Sequence, residues 1–157
     1  MNEVPIRKTP RLKEFDYSTS GYYFITICTK DRKEILSRIV GATVLGRPYV
    51  KLTETGKLVE TAILHNNRNE IKIDRYIIMP NHIHMIISIS PDAGDRGQSP
   101  LQMIIRNMKA YITKQIGFSV WQRSFHDHII RDENDYLEIC KYIDDNPFKW
   151  TEDKYYT

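Results

Sequence analysis

Hydrophobic and polar positions follow different rhythms along the chain, and each rhythm predicts an element. The segment Gly21–Thr29 (GYYFITICT) is dense in aromatic and β-branched residues and predicts a strand. Lys30–Lys51 is mixed and broken by Gly41, Gly46 and Pro48, so a loop with one short strand around Pro48–Leu52 is expected. Between Leu52 and Glu70, the apolar residues Leu58, Val59, Ala62 and Ile63 mark one face of a helix. Ile71–Ser90 holds two strand-like runs, IKIDRYIIM and HIHMIISIS, parted around Met79-Pro80-Asn81 because proline cannot donate to a sheet ladder. The second run alternates cleanly, with Ile83, Met85, Ile87 and Ile89 on one face and His82, His84, Ile86 and Ser88 on the other. One side of this strand is a core face; the other carries chemistry.

After a turn-rich loop over 91–100, Ser99 as N-cap, Pro100 in the first turn and Gln102 at the capping-box position open a helix that Gly117 ends. Its apolar stripe is Leu101, Ile104, Ile105, Met108, Ile112 and Ile116, which leaves Arg106 and Lys109 off the buried side. Ser119–Arg131 predicts a further strand, and Asp132 caps a last helix that runs to about Asn146 and stops at Pro147. On that helix Leu137, Ile139, Cys140 and Ile143 are expected to pack, with Tyr142 and Asn146 at the edge of the stripe. The first six elements run strand, helix, strand, strand, helix, strand. That order predicts an α+β, ferredoxin-like split βαβ fold: an antiparallel sheet with two helices on one face, followed by the C-terminal helix. The expected divisions are a basic N-terminal arm over 1–20, a single domain over 21–150 and a C-terminal tail over 151–157.

Composition narrows the class. A length of 157 residues fits one domain, and 41% hydrophobic against 27% charged residues excludes a disordered or low-complexity chain. No apolar run is long enough to span a membrane and the N-terminus lacks a signal-peptide core, so a cytoplasmic protein is expected. Cys28 and Cys140 lie in apolar segments without CxxC spacing, which argues for core positions rather than a disulfide or a thiolate zinc site. A net charge of +3 is too small to identify a nucleic-acid binder. Its distribution says more: between Arg96 and His126 stand Arg96, Arg106, Lys109, Lys114 and Arg123 with no acidic residue, and Arg7, Lys8, Arg11 and Lys13 form a second basic segment. A solvated helix face and a loose arm would explain the same charges.

The sharpest chemical feature is His82-Ile83-His84. Side chains two apart on a strand share a face at a Cα separation of roughly 6.5 Å, so two imidazoles can converge on one metal ion. Two polar histidines on a half-exposed strand are the plainer alternative. On the last helix, Tyr142 and Asn146 stand at i and i+4 and can present a phenol and a carboxamide side by side. Tyr136, earlier on the same helix, is the rival tyrosine and lacks an amide four residues on.

Taken in order, YIIMPNHIHMII, VWQRSFHDHIIR and YIDDNPFKW resemble the three motifs of the single-tyrosine HUH transposases of the insertion-sequence-200-like superfamily. Within that class they are most similar to the REP-associated tyrosine transposases. The resemblance implies a ferredoxin-like domain that forms a homodimer, binds single-stranded or hairpin DNA and cleaves one strand through a covalent 5′-phosphotyrosine. It implies Tyr142 as the nucleophile, His82 and His84 as metal ligands and Asn146 as the third ligand. Nitrogen and oxygen donors without thiolate suit Mg²⁺ or Mn²⁺, although a histidine pair also accepts zinc. Arg106, Lys109, Lys114 and Arg123, with Arg7 and Lys8 of the arm, are the candidate DNA contacts. His128 is expected to be structural or to touch phosphate, His126 stands where the motif often has an aromatic residue, and Trp121 is a core residue or a base-stacking one. Two other functions compete: a host-retained hairpin-binding or regulatory protein that does not cut, and a metal-dependent hydrolase of small phosphoesters, which would need neither the basic stretch nor a tyrosine beside the metal.

Overall fold

A computed structural model of the chain describes residues 20–41, 46–93 and 99–157. The aromatic and β-branched segment after Ser20 becomes a central strand, β1 (Gly21–Cys28), whose Tyr23, Ile25 and Ile27 are at most 1% exposed on one face. It is followed by β2 (Ser37–Val40), β3 (Tyr49–Leu52), α1 (Glu54–His65), β4 (Ile71–Ile78), β5 (His82–Ile89), α2 (Pro100–Ile116), β6 (His126–Ile130) and α3 (Glu133–Asp145). Four strands form one antiparallel sheet in the order β4-β5-β1-β6. β5, between β4 and β1, splits the β1-α1-β4 unit, which is the expected ferredoxin-like arrangement.

The two faces of the sheet do different work. Ile83, Met85, Ile87 and Ile89 of β5 join Tyr23, Ile25 and Ile27 in the main core against Val59, Ala62 and Ile63 of α1 and the predicted stripe of α2. Each large side chain that is fully buried there contributes roughly 1.5–3 kcal/mol by leaving water. On the opposite face α3 packs Ile139, Cys140 and Ile143 onto Ile86, with Phe24, Ile77 and Ile130 beside them. Register then matters for chemistry: Thr26 of β1 lies across from His84 and Cys28 across from His82.

Local signals explain the helix ends. Ser99 Oγ accepts from the Gln102 N–H, Gly117 ends α2 at φ 90°, and Asp132 caps α3 by accepting from the Asp135 N–H at 2.8 Å. Thr53 caps α1 and its hydroxyl also reaches the Ile35 and Leu36 carbonyls, which pulls the helix start onto the preceding loop. Gly56 is required there, since a Cβ would overlap the Leu36 carbonyl oxygen.

The structure corrects two expectations. Lys30–Lys51 does not hold a single short strand: β2 pairs with β3 as a separate two-stranded sheet. Ser119–Arg131 is a strand only from His126, because Val120, Trp121 and Phe125 turn into the core and the segment pairs with Thr29 through a single bridge at Trp121. Cys28 and Cys140 are buried and free, as core residues, with burial raising the Cys28 thiol to about 11. Among the described residues no helix is long and apolar enough to cross a membrane.

Candidate active site at the histidine pair

β5 turns His82 and His84 toward α3, and both are almost wholly buried, at 0% and 1% exposure. Each ring is anchored through Nδ1. His82 Nδ1 lies 2.9 Å from Asn81 Oδ1, and because the Asn81 amide nitrogen donates to the Tyr155 carbonyl, the oxygen is the atom left to face the ring. That assigns the His82 proton to Nδ1 and leaves a lone pair on Nε2. His84 Nδ1 is 2.8 Å from the Thr26 hydroxyl, the residue across the ladder. The two imidazoles stand edge to face with centroids 4.5 Å apart.

Both Nε2 atoms are buried without a hydrogen-bond partner, and so is Asn146 Oδ1. Asn146 is the C-cap residue of α3 and is 3% exposed; its Nδ2 donates to Asp153 Oδ2 at 2.9 Å. Leaving a buried polar atom unpaired costs about 1–3 kcal/mol, a cost that a cation held by these atoms would offset. The donor set therefore fits a divalent metal. The Asp153 carboxylate also belongs to the cluster, since one ligand atom from each of His82, His84 and Asp153 lies within 4.8 Å of the others.

Electrostatics keep the rings ready to ligate. Burial pushes the His82 imidazole down to about 4, partly opposed by the Asp153 carboxylate. Burial, aided by neighbouring His82, holds His84 well below the usual range. Both are neutral at neutral pH, the form that binds metal.

Tyr142 opens this buried centre to solvent. Its ring is 40% exposed and stands 5.2 Å from the His84 ring and 6.1 Å from Phe24, edge to face with both. Burial and then the Asp153 carboxylate raise its phenol, with Asn146 acting in the opposite direction. The hydroxyl is thus protonated at neutral pH and needs an electrophile held close by. A cleft of about 590 Å³ runs past Phe24, Thr26, His84, Tyr142, Asn146 and Asp153, and its walls mix Lys141, Lys149 and Lys154 with Glu138, Asp145 and Glu152. Tyr136 is elsewhere: it packs edge-on against Tyr22 at 5.7 Å in a separate depression with Arg131.

The other candidate residues scatter. Arg106 and Lys114 are exposed on α2, across the sheet from the histidines, and Arg123 is exposed in the segment before β6. Lys109, partly exposed on the same helix, donates from its ammonium to the Gln122 and Ser124 carbonyls and lies 6.0 Å from the centre of the Phe125 ring, so it tethers the loop that leads into β6. His128 pairs with Asp135 at 2.9 Å, a structural link between β6 and α3, and Trp121 is a core residue. Arg7 and Lys8 of the arm, like Arg96, lie outside the described residues. The packing expected of Leu137 is reversed: it is 55% exposed, while Asn146, expected at the edge, is buried. Sequence reasoning missed Asn81, Thr26, Asp153 and the cleft lysines. Asn81 could have been flagged as the neighbour of the pair; nothing local marks Asp153.

No family model matches the chain. It is similar to an uncharacterized protein of Haemophilus influenzae, 33% identical, with 96% of this chain and 93% of that protein covered. A solved REP-associated tyrosine transposase bound to a REP hairpin has the same fold, with a TM-score of 0.64 at 23% identity over 89% of this chain and 74% of that one. The REP-associated tyrosine transposase of Escherichia coli is 27% identical over 85% of this chain and 70% of its own length. The chain belongs to the REP-associated tyrosine transposase family. Within the one chain, His82 and His84 stand side by side, Tyr142 packs edge-on to His84, and the Asn146 side chain reaches both His82 and Tyr142.

Proposed function

We propose that the protein is a DNA strand transferase that cleaves and rejoins single-stranded or hairpin DNA, with Tyr142 as nucleophile and His82, His84 and Asn146 holding Mg²⁺ or Mn²⁺. The observation that supports it best is the set of three buried, unpartnered ligand atoms, on His82, His84 and Asn146, beside an exposed tyrosine in a cleft lined by both lysines and carboxylates. A divalent cation there supplies Lewis-acid polarisation of a non-bridging phosphate oxygen. Tyr142 Oη attacks phosphorus, its proton is lost to solvent, and the departing 3′-oxygen takes up a proton, leaving a 5′-phosphotyrosine. A returning 3′-hydroxyl reverses the exchange, so no phosphodiester energy is lost to water.

The basic residues divide the binding work. Lys141, Lys149 and Lys154 take the phosphates of the strand being cut, and Arg106, Lys114 and Arg123 take those of a duplex stem beyond it. The homodimer implied by the family resemblance is tested separately, by sedimentation. The test is incubation with Mn²⁺ and a labelled single strand carrying the hairpin repeat that flanks the gene, followed by a denaturing gel. A covalent adduct is expected. Tight binding with no adduct in either metal would replace this reading with that of a hairpin-binding protein that does not cut.

A further inference from the structure

Asp153 lies in the short segment after α3 and forms two hydrogen bonds that define the geometry of the centre. Its Oδ2 accepts from Asn146 Nδ2 at 2.9 Å, and its Oδ1 accepts from the Tyr155 N–H at 2.8 Å. Tyr155 in turn is buried, its ring 4.5 Å from the His82 ring, and its carbonyl receives the Asn81 amide that orients His82. A carboxamide has two ends of nearly equal size, and nothing in the helix itself dictates which end faces the histidines. Asp153 can only accept, so it takes the nitrogen end and leaves the oxygen end unpartnered.

We propose that Asp153 is a positioning residue that acts through Asn146, locking its carboxamide with Oδ1 toward His82 and His84 as a metal ligand. This rests on the reading of those three residues as ligands. The alternative is that Asp153 itself coordinates the ion, since its carboxylate is close enough to the imidazole nitrogens to do so. Both of its oxygens already hold N–H donors, whereas Asn146 Oδ1 holds none, and that difference favours the indirect role. Outer partners of metal ligands typically change metal affinity about 10–100-fold when removed.

The test is a double-mutant cycle read as Mn²⁺ affinity, by titration of the free-ion electron paramagnetic resonance signal without DNA. Asp153→Ala should weaken Mn²⁺ binding about 10-fold or more in the wild-type background and change it less than about 3-fold once Asn146 is already alanine. Asp153→Leu, which keeps the bulk and removes both acceptors, repeats the cycle if the alanine variant does not fold. Losses that multiply in the double variant mean direct coordination by Asp153 and overturn the proposal, as does unchanged affinity in the single variant. A wild-type protein that takes up no Mn²⁺ overturns the ligand reading on which it rests.

Discussion

Tyr142 stands edge-on to His84 at a centroid separation of 5.2 Å, so the tyrosine of α3 and the second histidine of β5 share one cleft. Tyr142→Phe should abolish the covalent DNA adduct and leave the fold intact. The change removes one hydroxyl from a ring that is 40% exposed, so unfolding free energy should move by less than about 0.5 kcal/mol. Denaturing gels and urea unfolding measure the two effects. Tyr136→Phe should retain the adduct, because that ring packs on Tyr22 and not on the histidines.

Metal should stabilise the folded chain through the unpartnered Nε2 and Oδ1 atoms. At a concentration of about 100 times its Kd, a ligand specific to the native state adds about 2.7 kcal/mol, equivalent to a Tm rise of roughly 5–10 °C for a chain of this size. Mn²⁺ should produce that rise and EDTA should reverse it, by differential scanning fluorimetry. His84→Ala should remove the response. A rise of equal size in that variant would place the ion elsewhere.

Acid should weaken the metal-free protein before ordinary carboxylates titrate. His82 is held at about 4 when folded against 6.5 when exposed, so below pH 6.5 the unfolded chain binds a proton that the folded one does not. Stability is therefore full above pH 6.5 and is lost as the pH falls toward 4. For His82 alone the loss reaches about 2 kcal/mol at pH 5, and His84, shifted in the same direction, adds to it. Urea unfolding in EDTA measures this; a flat profile from pH 7 to pH 5 contradicts it.

What was legible in the sequence followed from local rhythm. The alternation of β5 put His82 and His84 opposite Ile83 and Met85, and the caps Ser99, Gly117 and Asp132 fixed two helices, because these depend on neighbours a few residues away. The burial of Asn146 was not legible. A helical wheel puts it at the edge of the stripe, whereas its amide is held by Asp153 in the segment that brings Trp150 and Tyr155 against His82. The role of Lys109 was hidden for the same reason, since its partners are carbonyls of a loop that sequence patterning assigned to a strand. Long-range contacts from irregular segments leave no periodic trace.

The placement of the cations separates two DNA surfaces. Lys141 and Lys149 line the cleft beside Tyr142, whereas Arg106 and Lys114 are exposed on α2 across the sheet. Removing one phosphate contact lowers the log–log salt slope by about 0.7 for single strands and about 0.9 for duplex. Lys141→Gln with Lys149→Gln should therefore lower the slope for a short single strand by about 1.4. Arg106→Gln with Lys114→Gln should leave that slope unchanged and lower the slope for a hairpin with a long stem by about 1.8. Lys109→Ala belongs to neither set: with its bonds to the Gln122 and Ser124 carbonyls gone, it should cost roughly 1–2 kcal/mol of stability. Fluorescence anisotropy over a salt series reads both slopes. Equal effects of the two pairs on the short strand would mean that the strand does not run through the cleft, and the assignment of Lys141 and Lys149 would fall with it.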